Sequence, residues 1–273
     1  MFERQTRDTP LGSAASILEL IYHNTVRSIR KTHSNALMSI VMNILQTVIF
    51  VLAFFLLFTV LGMRGSAIRG DFMVYIMTGI FLYMVHTRTV TSILGSEGPA
   101  SAMMKHAPMT TAIAIASAAL SSLYIQVLSM GIVLYFYHVI WGPIHIADPA
   151  GAMGMVFLSW FSGVAVGMIF LALKPWAPSA VNIIAMIYTR ANMIASGKMF
   201  VANKLPATML AFFDWNPLFH TIDQARGFAF INYSPHNSSI EYPLYLSLVL
   251  LMIGLMGEFY TRKHASMSWS ARR

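Results

Sequence analysis

Apolar segments of membrane-crossing length recur along this chain, and they constrain its fold more than any other feature. Residues 36–61 form the first, interrupted only by mildly polar side chains such as Asn43 and Gln46. About 20 helical residues cover the hydrocarbon of a bilayer, so this segment crosses with room to tilt. Comparable segments follow at 72–94, 111–140, 150–173, 179–196 and 243–260. The fifth is weaker, because Asn182, Thr189, Arg190 and Asn192 must face other helices or a water-filled path and not lipid. The pattern predicts an all-α integral membrane protein of six transmembrane helices, one domain over residues 1–273, with a membrane domain at 36–262.

Composition identifies the solvent. Hydrophobic residues make up 57% of the chain and charged residues 10%, whereas a soluble domain carries about 25% charged residues to clothe its surface. The net charge of +8 raises the question of nucleic acid. Its distribution answers against that partner: Lys and Arg gather at the two ends and flank apolar spans, with no basic stripe interleaved with stacking aromatics. Six spans put both termini on one side. Arg4, Arg7, Arg27, Arg30, Lys31, Lys105, Lys174, Arg262, Lys263, Arg272 and Arg273 then lie inside, against Arg64, Arg69, Lys198, Lys204 and Arg226 outside. The positive-inside rule therefore makes both termini cytoplasmic and puts segment 197–241 on the external face. The first 31 residues lack a short apolar core, so no cleaved signal peptide is expected.

Three shorter patterns stand between or before the spans. In residues 14–31, Leu18, Ile21, Tyr22, Thr25 and Ile29 form one helical face, opposite Glu19, His23, Arg27, Arg30 and Lys31. This describes an amphipathic helix in the headgroup layer or, at this length, a soluble helix capping the first span. Between the second and third spans, Ser96 and Pro99 are helix-start signals and Pro108 a stop, so a short helix is expected there. In segment 197–241, Asn216 as N-cap and Pro217 at the first position open a helix over 218–231, where Asp223 and Arg226 are spaced to pair. The aromatics around it fit a segment that dips into the interface and equally a folded external cap.

Within the spans, Arg88 cannot face lipid cheaply. It is placed near the membrane surface or inside a subunit contact, snorkelling being the alternative. Gly163 and Gly167 have the spacing of close helix packing.

The chemistry the chain lacks narrows the function. It has no phosphate-cradling G-x-x-x-x-G-K-[ST] loop, no G-x-S-x-G elbow and no H-E-x-x-H pair. It has no cysteine, which excludes disulfides and thiolate catalysis. His86, His138 and His220 lack ligand spacing and are expected to be interfacial or hydrogen-bonded. No span centre holds a carboxylate, as a proton-coupled transporter would require.

Taken together, the entry helix, the Pro- and Gly-bounded helix after the second span, and the run Trp215, Asn216, Pro217, Leu218, Phe219, His220, Thr221, Ile222 ending in Arg226 resemble the permease subunits of type-2 ABC exporters. The last run is similar to the branch that exports capsular polysaccharide and O-antigen. The resemblance covers nearly the whole chain. It implies a bacterial inner-membrane homodimer bound to two copies of a separate ABC ATPase, which carries the ATP and Mg, with no cofactor in this chain and no enzymatic activity of its own. The cargo it implies is a polysaccharide, including lipid-linked forms, handed on to periplasmic or outer-membrane export proteins. By the same analogy, Ser96, Glu97, Pro99, Lys105, His106 and Pro108 belong to the helix that docks in the ATPase, with Glu19, His23, Arg27, Arg30 and Lys31 on the interface helix beside it.

A sugar polymer offers hydroxyls and flat apolar faces, so its path should mix aromatics with neutral hydrogen-bonding groups. Trp160, Tyr188, Asn192, Phe212, Phe213, Trp215 and Arg226 are the candidates. Lys198, Lys204 and Arg226 are expected to face outward, where an acidic polymer or a lipid phosphate would meet them. Two other readings remain open. One is export of a lipid, drug or teichoic-acid-like polymer; the other is an integral membrane glycosyl- or acyltransferase, which the scarcity of cytoplasmic carboxylates disfavours.

Overall fold

The computed structural model describes residues 10–31, 36–62, 68–98 and 110–264. Its elements are helices α1 (Pro10–Lys31), α2 (Ala36–Val60), α3 (Phe72–Leu94), α4 (Thr111–Ile140), α5 (Pro149–Leu173) and α6 (Pro178–Ala195), then a 3-10 turn (Ala202–Lys204) and the single-turn α7 (Ala207–Leu210), and finally α8 (Pro217–Ala229) and α9 (Glu241–His264). No strand occurs among the described residues.

Local chemistry sets several of these boundaries. Asp71, Thr110, Asp148 and Asn216 each accept a backbone N–H of the first turn behind them, and Pro149, Pro178 and Pro217 begin helices where a missing N–H costs nothing. The apolar segments at 36–61, 72–94, 111–140, 150–173 and 179–196 thus become helices whose ends fall within a residue of expectation. The last helix is longer than expected and takes in Glu241 and Arg262. Helix α8 stops earlier than the expected 231, because Phe230 turns into extended backbone.

Helices α2, α4, α5 and α9 are each long and apolar enough to cross a membrane. Three of these four, α2, α4 and α9, leave most of their apolar surface uncovered: Leu52 and Leu56, Phe136 and Val139, Met252 and Met256 are all exposed. A protein dissolved in water does not show that much contiguous apolar surface, so this is a membrane-embedded helical protein.

The helices alternate in direction. At one end of the bundle, the Lys174 ammonium after α5 donates to the Leu94 carbonyl at the end of α3 over 2.8 Å, and Thr111 at the start of α4 donates to Glu258 near the end of α9 over 2.6 Å. At the other end, Tyr137 of α4 donates to Asp71 before α3, and the backbone N–H groups of Ala147 and Asp148 donate to the carbonyls of Ala229 and Phe228 at the end of α8. Helix α5 is central, packed along α9 and α3 and crossed by α8, while α1 lies against α4.

Gly163 and Gly167 perform the packing their spacing suggests. A Cβ on Gly163 would stand 2.7 Å from the His86 carbonyl oxygen, and one on Gly167 would stand 2.8 Å from Ile93 Cβ, so α3 and α5 meet almost backbone to backbone.

Candidate functional site

Two polar regions stand out in a molecule otherwise built of apolar contacts. The first lies along α2, α3 and α6. Tyr83 of α3 donates to the Thr189 carbonyl on α6 over 3.2 Å and stacks on Phe50 of α2, with ring centroids 6.0 Å apart. One helical turn and a half further on, the Arg88 guanidinium donates to the Gln46 side-chain carbonyl on α2. This pair separates two recesses. One, of about 390 Å³, is lined by Ser39, Asn43, Ser121, Ser122 and Gln126; the other, of about 420 Å³, by Phe50, Tyr83, Thr87 and Thr189. Both are bordered by Gln46, Arg88 and Thr91.

The second region is the segment between α6 and α9. Arg226 of α8 is fully buried, and its guanidinium donates to the carbonyls of Gly197 (3.0 Å), Lys198 (2.7 Å) and Phe200 (2.6 Å) while its Cζ lies 4.2 Å from the centre of the Tyr75 ring. The Lys198 ammonium sits among Phe50, Phe54 and Tyr83, 3.5 Å from the centre of the last ring. Burial pushes its pKa down to about 7, against the pull of the three ring faces toward the charged form. Lys198 and Arg226 therefore do not face outward as expected. The chain after α6 folds back between α2, α3 and α8, and Gly79 leaves the space that the Lys198 Cβ and the Arg226 guanidinium occupy.

The expected Asp223–Arg226 pair also does not form. Asp223 accepts instead from the hydroxyls of Tyr233 and Ser238, and Gln224 donates to the Ser238 carbonyl, which stitches the loop before α9 onto α8.

His220 holds the other side of α8. Its Nε2–H donates to the Asp214 carbonyl over 2.5 Å, and its Nδ1 accepts the Ser239 backbone N–H over 3.1 Å. Those two bonds fix a neutral tautomer, since a proton on Nδ1 would oppose an N–H. Burial lowers its pKa below the usual 6.5, against the smaller opposing effects of Asp214 and Asp223. An unfolded chain thus takes up this proton at a pH where the folded chain does not. The stability His220 contributes is complete above pH 6.5 and declines as pH falls below it. Replacing it as in His220→Gln is expected to flatten this acid limb of a thermal-midpoint profile measured from pH 7.5 to 5.

The candidates for a substrate path separate into two groups. Trp160 donates from Nε1 to the Ala119 carbonyl between α4 and α5. Tyr188 meets His86, its hydroxyl 2.8 Å from Nε2, while the other nitrogen of that imidazole lies 2.8 Å from the Ser162 hydroxyl. Asn192 accepts from Asn216 over 2.9 Å, and Phe213 packs against Phe200 and Phe219. These residues and Arg226 bind the chain's own helices together, whereas Phe212 and Trp215 are exposed on the connection before α8. The His86, Ser162 and Tyr188 cluster was not expected as such, and its signal was the run of serines on α5 at helical spacing, Ser159 and Ser162.

Just beyond the C-terminal end of α3, Arg27 of α1 lines a small cavity of about 80 Å³ together with Ser96 and Glu97. Glu19 and His23 form an exposed pair at 3.8 Å on α1. Arg30 and Lys31 close that helix. Pro99, Lys105, His106 and Pro108 lie outside the described residues, and so does most of the expected short helix. No group of His, Asp or Glu among the described residues converges to hold a metal ion.

No family model and no curated protein matches the chain.

Proposed function

We propose that this chain is the membrane-spanning subunit of an ATP-driven exporter of the type-2 ABC class, moving a cell-surface polysaccharide of capsular or O-antigen type, lipid-linked forms included, across the bacterial inner membrane. In this reading α2, α3, α4, α5, α6 and α9 cross the bilayer, both termini are cytoplasmic, and α1 rests in the inner headgroup layer. Two copies of the chain form the path and two copies of a separate ATPase supply ATP hydrolysis with Mg. Periplasmic or outer-membrane proteins receive the product.

The observation that carries this reading is the cavity shared by α1 and the chain just beyond α3. Arg27 of the helix and Ser96 and Glu97 of the chain line this single small space, so residues 96 and 97 stand beside the expected interface helix. A subunit driven from outside needs such a junction. The alternating helix directions and the external segment folded back onto α3 and α5 support the same reading. Export of a lipid, drug or teichoic-acid-like polymer uses the same architecture and differs only in cargo.

Purification of the complex from native membranes is expected to recover an ATPase. Substitutions across residues 96–108 should then reduce export on the order of tenfold while ATP hydrolysis persists, because the coupling free energy and not the chemistry is lost. Accessibility labelling that put the two chain ends on opposite faces of the membrane, or ATP turnover by this polypeptide alone, would overturn the proposal.

A further inference from the structure

Helices α2 to α6 contain no Asp or Glu, and they contain two cations, Arg88 and Arg190. Arg88 lies six residues before the end of α3, about 9 Å along the helix axis. Its observed partner is the neutral Gln46 amide, and no carboxylate among the described residues pairs with it. Arg88 is exposed beside both recesses, so an anion can reach its guanidinium.

The surroundings fit such a visitor. An amide occupies part of a five-donor fork, which leaves N–H groups free for a second acceptor. On one side stand Asn43, Gln126 and the serine hydroxyls, on the other Tyr83, Thr87 and Thr189. All are neutral hydrogen-bonding groups that carry no repulsive charge toward an anion. Of the three outward cations expected from sequence, Lys198 and Arg226 cannot serve, since both are buried and Arg226 is committed to three backbone carbonyls.

We propose that the Arg88–Gln46 ridge is a binding site for an oxyanion, the phosphate or carboxylate group carried by an anionic glycan or by its lipid anchor. Arg88 holds the anion through its fork, and Gln46 orients that fork. The substrate class named here rests on the exporter reading, but the site itself is a property of the chain and binds without turnover.

The test uses the full-length chain in nanodiscs of neutral phosphatidylcholine, titrated by calorimetry at low salt. The probes are sodium pyrophosphate, a glucuronic-acid oligosaccharide, and a neutral dextran oligosaccharide of the same length. At least one anionic probe is expected to bind, more weakly as salt rises. Arg88→Gln should weaken it tenfold or more, with Arg88→Lys intermediate, because the lysine keeps charge and loses the two-pronged geometry. Preference for pyrophosphate assigns the anion to the anchor, and preference for the acidic oligosaccharide assigns it to the polymer. If Arg88→Gln does not fold, Gln46→Leu keeps the test decisive: it leaves the charge in place but releases the fork, so anion affinity should fall severalfold, and an unchanged affinity would overturn the site. The proposal fails if no anionic probe binds, if Arg88→Gln changes anion affinity less than about twofold, or if it weakens the dextran equally. Because binding needs no ATPase, the exporter reading can fail while this site stands, and the reverse.

Discussion

Arg226→Ala is expected to cost about 3–5 kcal/mol, because each buried acceptor left without its donor costs about 1–3 kcal/mol. Three carbonyls, those of Gly197, Lys198 and Phe200, would lose their donor in a place water does not reach, and the Tyr75 ring would lose the guanidinium that covers it. Lysine cannot substitute, because one ammonium cannot reach acceptors that flank a planar fork on different sides. The connection from α6 would then no longer be pinned to α8, and Lys198 beneath it would lose its fixed position over Tyr83. Scanning fluorimetry of the detergent-solubilised chain should record a fall in Tm on the order of 10 °C. Lys204→Ala, at an exposed position two residues before the chain reaches Pro206, serves as the neutral comparison. A fall of only a degree or two in Arg226→Ala would mean that the segment between α6 and α9 is held mainly by its apolar contacts.

That role could not be read from the sequence. Arg226 follows Asp223 at a spacing that describes a surface ion pair, and nothing in the local pattern reports that the chain doubles back after α6. The helix that carries it was legible, because Asn216 and Pro217 are a cap and a first-turn residue in any surroundings. The same division runs through the membrane domain. Segment lengths and Pro or Gly punctuation place the helix ends, since both act locally. Which side chain of an apolar helix faces a neighbour is a different matter. Helix α5 is apolar all round, so its sequence carries no stripe to mark the buried face, and Trp160 looked as available as any exposed aromatic. Tyr188 and Asn192 stand out in the sequence by their polarity, and that same polarity is what His86 and Asn216 use within the chain. The polar groups of the Arg88 recesses come from α2, α3, α4 and α6, and only the tertiary fold brings them to one place.

The second large effect tests how α3 and α5 meet. Gly163→Leu is expected to destabilise the chain by about 3 kcal/mol, at the upper end of what overpacking a closed contact costs. Gly163→Ala should already be unfavourable, because its Cβ would lie 2.7 Å from the His86 carbonyl oxygen and 3.0 Å from Thr89 Cβ. The first obstacle is backbone, which cannot rotate aside, so the whole of α3 must move. Such movement would draw His86 away from Ser162 on α5 and, through the same imidazole, from Tyr188 on α6. Gly154 on the same helix provides the opposite sign. A Cβ there meets nothing within 4 Å, so Gly154→Ala should be neutral or stabilising by about 0.5–1 kcal/mol through helix propensity alone. Comparing the two alanine variants by thermal midpoint removes any general effect of adding a methyl group to α5. Equal midpoints would show that α3 and α5 can part without cost, and the close approach of the two helices would then have no part in holding the bundle together.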